Sequence, residues 1–328
     1  MPTIKDVAKE AGVSVASVSR YMNQKGYVSA TTQLRVQAAI DKLSYQPNEI
    51  ARSLFQKKTN MIGLIIPDIS NPFFPMLARG VEDYLAERNY QMVLANTAND
   101  PIRENQYYQT FQQHNFAGII NAMEPRVDVE LKVPVIQVDR ARTESPFYVR
   151  SNHQLGGSLV AQAVIESEPK KVLIMQGPEG IVNASIKHQA VVDRFNEAAI
   201  TYDVFQVDTF GIETINQLVK DIFQEIETKG YDTIVATNDI HGIYLIKEAF
   251  SRQLKVPTEL QIIGYDGIDF AELMIPQLTT VSQSVYEMGS LAAEMLINRI
   301  EGRENHSDTV DLSVNFSVGD TLRKRLDK

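Results

Sequence analysis

The chain has 328 residues, 44% hydrophobic and 22% charged, with a formal net charge of -9. Such a length suits two or three globular units, and no apolar run approaches the length of a membrane span. The absence of cysteine excludes disulfides and thiol chemistry. The opening MPTIKDVAKEAG lacks the apolar segment of a secretory signal, so a cytoplasmic protein with no membrane partner is expected. Charge is uneven: residues 1–60 carry nine Lys or Arg against four acids, a net +5, which leaves -14 for the remainder. A small basic unit tethered to an acidic body suits phosphate binding by the unit alone.

In chain order, Thr3 and Asp6 form a capping-box-like start to a helix reaching about Ala11, and Gly12 permits a sharp turn. Ser14 caps a second helix from Val15 to about Met22, and Ser29 a third to about Leu43. Val7, Ala8, Val18, Leu34, Ala38 and Ile40 are the expected core, with Ser17, Ser19, Arg20 and Asn23 of the second helix outside it. Three capped helices fit a helix-turn-helix unit or a plain three-helix bundle with solvated polar residues. Pro47 then ends the third helix, and Asn48 can cap a short helix EIARSLFQ, too small to be stable alone.

From Met61 onward short apolar runs alternate with amphipathic segments: MIGLIIP, YQMVLAN, AGIIN, VPVIQVD, KKVLIMQ, YDTIVATN and QIIGYD read as strands. Continuous runs of this kind suit parallel sheets wrapped on both faces by helices. Ligands of such folds bind beyond the carboxyl ends of the strands. That rule singles out Asp68, Asn71, Phe73, Asn96, Asn121, Asp139, Arg140, Gln176, Asn238, Asp239, Tyr265 and Asp266. Carboxylates, amides, one arginine and aromatic rings together suit a sugar, whose hydroxyls need paired donors and acceptors and whose C–H faces stack on rings. A helix cap is the competing reading for any one of them.

No HExxH, GxxxxGK[ST] or GxSxG pattern is present, so no catalytic residue is assigned and no enzyme is expected. The five histidines are scattered without metal-pair spacing and read as surface or turn residues; neither metal nor cofactor is expected.

The segments TIKDVAKEAGVSVASVSRYMN, YVSATTQLRVQAAIDKLSYQPN and ARSL resemble, without a gap, the DNA-binding headpiece of the lactose/galactose repressor family. GLIIPDISNPFF, SNHQLGG, ATNDIHGIYLIKEAF and IIGYDGIDFAELMIPQLTTVSQ are similar to blocks of that family's core, so the resemblance is nearly full length. It implies an α/β protein with a helix-turn-helix headpiece (1–46), a hinge (47–59) and a periplasmic-binding-protein-like core (60–328) of two doubly wound parallel-sheet subdomains. The first subdomain is expected at about 60–158 plus 286–316 and the second at about 159–285 plus 317–328. By the resemblance, Val15, Ala16 and Arg20 read bases, Arg20 having the chemistry to take guanine. Val15 and Ala16 would meet thymine methyls, although helical spacing also allows Val15 to join Val18 and Met22 inside. Thr3, Ser14, Ser19, Asn23, Tyr27, Ser29 and Thr32 match phosphate-backbone contacts. Asn48, Ala51 and Leu54 match a hinge that enters the minor groove, Leu54 as the wedge.

By the resemblance, Asn71, Phe73, Phe74, Asp139, Asn238 and Asp266 match effector contacts, Lys187 stands at an effector-contact position and Gln283 lies on a matching crossover segment; Arg140, from the strand-end rule, completes the expected effector site. Four departures bear on the effector: Lys187 stands where the family usually has arginine, Ala190-Val191 where it has a glycine-aromatic pair, Gly267 replaces an acid, and Ser151-Asn152-His153 varies a common block. The implied function is a homodimeric transcriptional repressor on a palindromic operator, controlled by a sugar or sugar phosphate in the cleft. The tail SVGDTLRKRLDK is too short for the heptad helix by which some relatives form tetramers. Control by a phosphorylated carrier protein, and a sugar-binding transport receptor, are the alternatives.

Overall fold

The computed structural model describes residues 2–22, 26–45, 59–124, 131–142 and 144–324, and the chain divides into two compact units after Thr59. In the first unit the Asp6 carboxylate accepts from the Thr3 amide at 2.8 Å and the Thr3 hydroxyl at 2.7 Å, satisfying donors at the start of α1 (Ile4–Ala11). Gly12, at φ 62°, turns the chain into α2 (Val15–Met22), where the Ser17 amide donates to the Ser14 hydroxyl at 3.1 Å. Ser29 accepts from the Thr32 amide and begins α3 (Ala30–Leu43).

These helices enclose Val7, Ala8, Ala11, Val18, Val36 and Ala39, flanked by Met22, Ile40 and Leu43. The expected face of α3 is therefore corrected. Leu34 is 73% exposed and Ala38 is also outside, because Val36, Ala39, Ile40 and Leu43 form the stripe with helical three-four spacing.

In the second unit a six-stranded sheet runs in the order β11-β5-β4-β3-β1-β2, with every neighbouring pair parallel. Its strands are β1 (Met61–Ile66), β2 (Gln91–Asn96), β3 (Gly118–Asn121), β4 (Val135–Val138), β5 (Tyr148–Ser151) and β11 (Thr309–Leu312). Ile62, Leu64 and Ile66 face α4 (Phe73–Ala86) and α11 (Val285–Glu301), while Ile65 faces α5 (Pro101–Gln113). Alternate residues of β1 thus bury against opposite helical layers, which is why its sequence is apolar throughout. β2 is an edge strand with Val93 exposed, so its run is not covered on both faces as expected.

The other sheet, parallel in the order β7-β6-β8-β9, comprises β6 (Val172–Gln176), β7 (Tyr202–Gln206), β8 (Thr233–Val235) and β9 (Gln261–Ile263). One face buries Leu173, Met175 and Ile234 with α8 (Ile215–Lys229), α9 (Asp239–Ser251) and the short α10 (Asp269–Leu273); the other buries Ile174 and Val235 under α6 (His153–Glu166) and α7 (Val182–Glu197). The chain passes between sheets three times: from β5 into α6, from β10 (Thr280–Gln283) into α11, and from β11 into β12 (Val314–Ser317). β10 and β12 pair antiparallel at these passages. The subdomain boundary expected near 158 falls inside α6, which packs along its length in the second subdomain; the passage lies at Asn152.

Candidate functional site

On the headpiece, the short α2 spends Val18 on the core, at 0% exposure, and turns Val15 outward at 41%, with Ala16 and Arg20 also exposed. Val15 therefore lies outside the core that spacing alone would have allowed it to join. Thr3, Ser14 and Tyr27 are exposed, Tyr27 at 89%, while Ser19, Ser29 and Thr32 are half-buried. Ser14 and Ser29 use their hydroxyls in caps, leaving oxygen lone pairs and short side chains at the start of each helix. Asn23 and the hinge residues Asn48, Ala51 and Leu54 lie outside the described residues.

In the core, the carboxyl ends of the strands open into a cavity of about 60 Å³ between the subdomains. All nine residues expected at an effector site line it, contributed by both subdomains and by Gln283 at a passage. Asn71 uses its side-chain oxygen to accept from the Phe73 amide at 3.0 Å, starting α4 so that Phe73 and Phe74 stand edge to face with centroids 5.1 Å apart. Asp139, held at φ 60°, follows β4 and accepts from the Asn183 side chain at 3.1 Å. Its neighbour Arg140 donates to Asn99 at 3.1 Å, and the guanidinium carbon lies 6.0 Å from the Phe74 ring and 5.8 Å from the Phe210 ring.

Across the cavity, Lys187 donates to the Thr237 carbonyl and lies 4.1 Å over the Tyr265 ring. Asp266 accepts from Gln283 at 2.8 Å. Burial raises the Asp139 pKa to about 6 and Asp266 well above the carboxylate range, and it lowers Lys187 to about 8 despite the opposing pull of Asp266, Asp239 and Asp139. The cavity thus offers acceptors, amide donors, one ammonium and aromatic faces. Gly267 must be glycine here: its φ is 73°, and an added Cβ would lie 2.5 Å from the Ser282 Cα.

Four strand-end residues singled out by the sequence are not in the lining. Asn96 ties down the loop after the neighbouring β1 and Asn121 caps its own loop, accepting from the Ile69 and Met123 amides at 3.0 Å each. Asp239 faces inward, accepting from the Gly267 and Ile268 amides at 2.7 and 2.9 Å, and Gln176 also lies away from the cavity. The histidines are corrected in part. His153 lines the cavity at 5% exposure with Nδ1 3.1 Å from the Tyr265 hydroxyl, and His241 is wholly buried against Thr237. Burial lowers their pKa values to about 3 and about 4, so both are neutral. Asn183, Phe210 and Asn99 join the site from loops and a helix start, where nothing in their local sequence marks them.

The chain is 38% identical over 328 residues to the ribose operon repressor of Bacillus subtilis, covering 99% of both chains. Residues 3–48 match the lacI family of bacterial regulatory proteins, and residues 184–322 match a periplasmic binding protein-like domain. The chain belongs to the lacI family. This lacI-family member is also 35% identical over 326 residues to the ribose operon repressor of Lactococcus lactis, with 99% of each covered. Its fold is that of the lac repressor dimer bound to operator and the anti-inducer ONPF, at TM-score 0.86 and 20% identity over 98% of each chain. Members of the lacI family are transcriptional repressors, not enzymes, so this chain is a sugar-controlled DNA-binding repressor. Among the described residues no helix is long and apolar enough to cross a membrane.

Proposed function

We propose that this repressor governs a ribose-utilisation operon, acting in the cytoplasm as a homodimer and leaving its operator when D-ribose fills the core cavity. The cavity carries the reading. One water needs roughly 10–15 Å³, so about 60 Å³ holds a few water-sized groups, the scale of the hydroxyls and ring oxygen of a pentose. Two carboxylates that each accept from more than one hydroxyl, amides that donate, and the Phe73–Phe74 corner for a C–H face match such a ligand.

Charge favours the free sugar over its phosphate. The cations Arg140 and Lys187 already face acids, Arg140 lying 4.0 Å from Asp139 and Lys187 being drawn toward Asp266, Asp239 and Asp139. A phosphate entering here would meet those carboxylates without a free counter-charge. Sugar acts on DNA only by binding unequally to the operator-competent and released arrangements of the core. Two headpieces then reach successive half-sites, with Val15, Ala16 and Arg20 toward bases and Leu54 of the hinge toward the minor groove.

The test compares D-ribose, ribose 5-phosphate and hexoses by thermal unfolding and by operator release. Ribose at ~100 times its Kd is expected to add roughly 2.7 kcal/mol of stability and to release operator. Stabilisation by the phosphate alone would refute the neutral-pentose reading. No response to any sugar, with operator affinity set instead by a phosphorylated carrier protein, would favour the carrier reading.

A further inference from the structure

Helix α7 supplies Asn183, Ala184 and Lys187 to the cavity wall, all within its first two turns. Its register against the opposite subdomain therefore decides where an ammonium and an amide stand. Yet the residue before α7 is Ile181, whose side chain offers no cap. The acceptor for its first amide comes from elsewhere: Glu124, in the loop after β3 of the other subdomain, accepts from the Val182 amide at 3.2 Å through Oε2. Its Oε1 accepts from Arg142 at 3.4 Å, and Glu124 is only 4% exposed.

We propose that Glu124 is a positioning residue that caps α7 from across the cleft and so holds Asn183 and Lys187 in the arrangement that closes on the sugar. The physical basis is twofold. A carboxylate at a helix N-terminus satisfies an orphan amide and opposes the positive end of the helix dipole. Because donor and acceptor belong to different subdomains, opening the cleft separates them, so the interaction favours the closed arrangement with or without sugar. Its neighbour on the same rim, the Asn183–Asp139 bond, has the same character, but both of those residues line the cavity and contact ligand chemistry directly. Glu124 is absent from the lining, and its hydrogen bonds go to Val182 of α7 and to Arg142. The sugar-affinity part of this inference rests on the pentose reading above; the capping part does not.

The experiment uses the full chain with Glu124→Ala and Glu124→Gln. D-Ribose and its singly deoxygenated analogues are titrated calorimetrically, and dissociation is followed by stopped flow. Loss of a hydrogen bond to a charged group corresponds to about a tenfold loss, so Glu124→Ala is expected to raise every Kd by about tenfold. The factor should be the same for each sugar and appear as faster dissociation, with Glu124→Gln, which keeps an acceptor oxygen, falling between. Factors that differ among the analogues would mean direct hydroxyl contact and overturn the positioning role, as would unchanged dissociation. Hydrogen exchange at the Val182 amide without sugar provides a ligand-independent arm: it is expected to accelerate in Glu124→Ala. Unaltered exchange overturns the cap even if ribose binds, whereas accelerated exchange in a protein that ignores ribose leaves the cap standing and refutes the pentose reading alone.

Discussion

Replacing Lys187 by methionine keeps the length of the side chain and removes a buried cation that attracts Asp266, Asp239 and Asp139. The charge-assisted bond to the Thr237 carbonyl goes with it. Removing one partner of a fully buried pair costs about 3–5 kcal/mol; Lys187 retains some accessible surface, so about 2–4 kcal/mol is the expected loss near pH 7.5. For a core of this size that lowers Tm by roughly 5–10 °C. The loss has a pH signature whose sign follows from linkage. Burial already raises Asp139 from 3.8 to about 6 in the folded state, and loss of the ammonium raises it further while the unfolded value stays put. A raised carboxylate pKa makes the ionised folded form the costly one, so the penalty grows as pH rises through the folded value and is small where the carboxyl is protonated. Lys187, itself lowered to about 8, stays largely protonated across this range, so its own contribution is nearly constant and the stability of Lys187→Met relative to wild type should fall between pH 5.5 and pH 7.5 in thermal unfolding. A Tm gap that is constant across this range, or absent at pH 7.5, would refute the assignment of Lys187 as the counter-charge of the acid cluster.

Three further outcomes are expected. Sugar affinity should pass through a maximum between about pH 6 and about pH 8, because Asp139 loses its acceptor role on the acid side and Lys187 its charge on the alkaline side; calorimetric titrations that are flat over this span would remove both groups from recognition. In the headpiece, Val36→Ala should cost about 2 kcal/mol from two buried carbons and the space they leave, whereas Leu34→Ala should stay within about 0.5 kcal/mol; equal costs by denaturant titration would restore Leu34 to the core. Arg20→Ala should weaken operator binding by about 1–3 kcal/mol while affecting random DNA far less, and equal losses in a competition gel shift would reduce Arg20 to a phosphate contact.

Residues whose roles are local were legible in the sequence. Thr3, Ser14 and Ser29 start helices because a short oxygen-bearing side chain meets orphan amides wherever it stands before a helical run. Asp139, Asn238 and Asp266 follow apolar strands and line the cavity, as expected of residues at the carboxyl ends of parallel strands, a rule that needs no tertiary detail. What was not legible depends on which neighbour arrives. Leu34 and Val36 are equally apolar, and only the approach of α1 and α2 selects the stripe through Val36. His153 reads as an ordinary polar helix start until Tyr265, more than a hundred residues later, folds onto it. Asn183 and Phe210 likewise acquire meaning from Asp139 and Arg140 in the opposite subdomain. Gly267 looked like a loss of an acid; its left-handed backbone against Ser282 gives a steric reason instead.

The three passages between sheets also govern how the chain can be made. The core around α4 is completed by α11, and the second subdomain buries Val314 and Leu322 beside Val160 and Val281. Neither half of the core is a continuous stretch, so neither can finish folding as it leaves the ribosome. Until α11 has emerged the apolar face of α4 lacks its cover, and until residue 322 has emerged the second core lacks Val314 and Leu322, so closing both depends on contacts of long sequence separation. The headpiece, whose helices contact one another within the first 45 residues, has no such delay. A nascent repressor would thus carry a folded DNA reader on an unfinished sensor, leaving the core as the stage at which chaperones have most to protect.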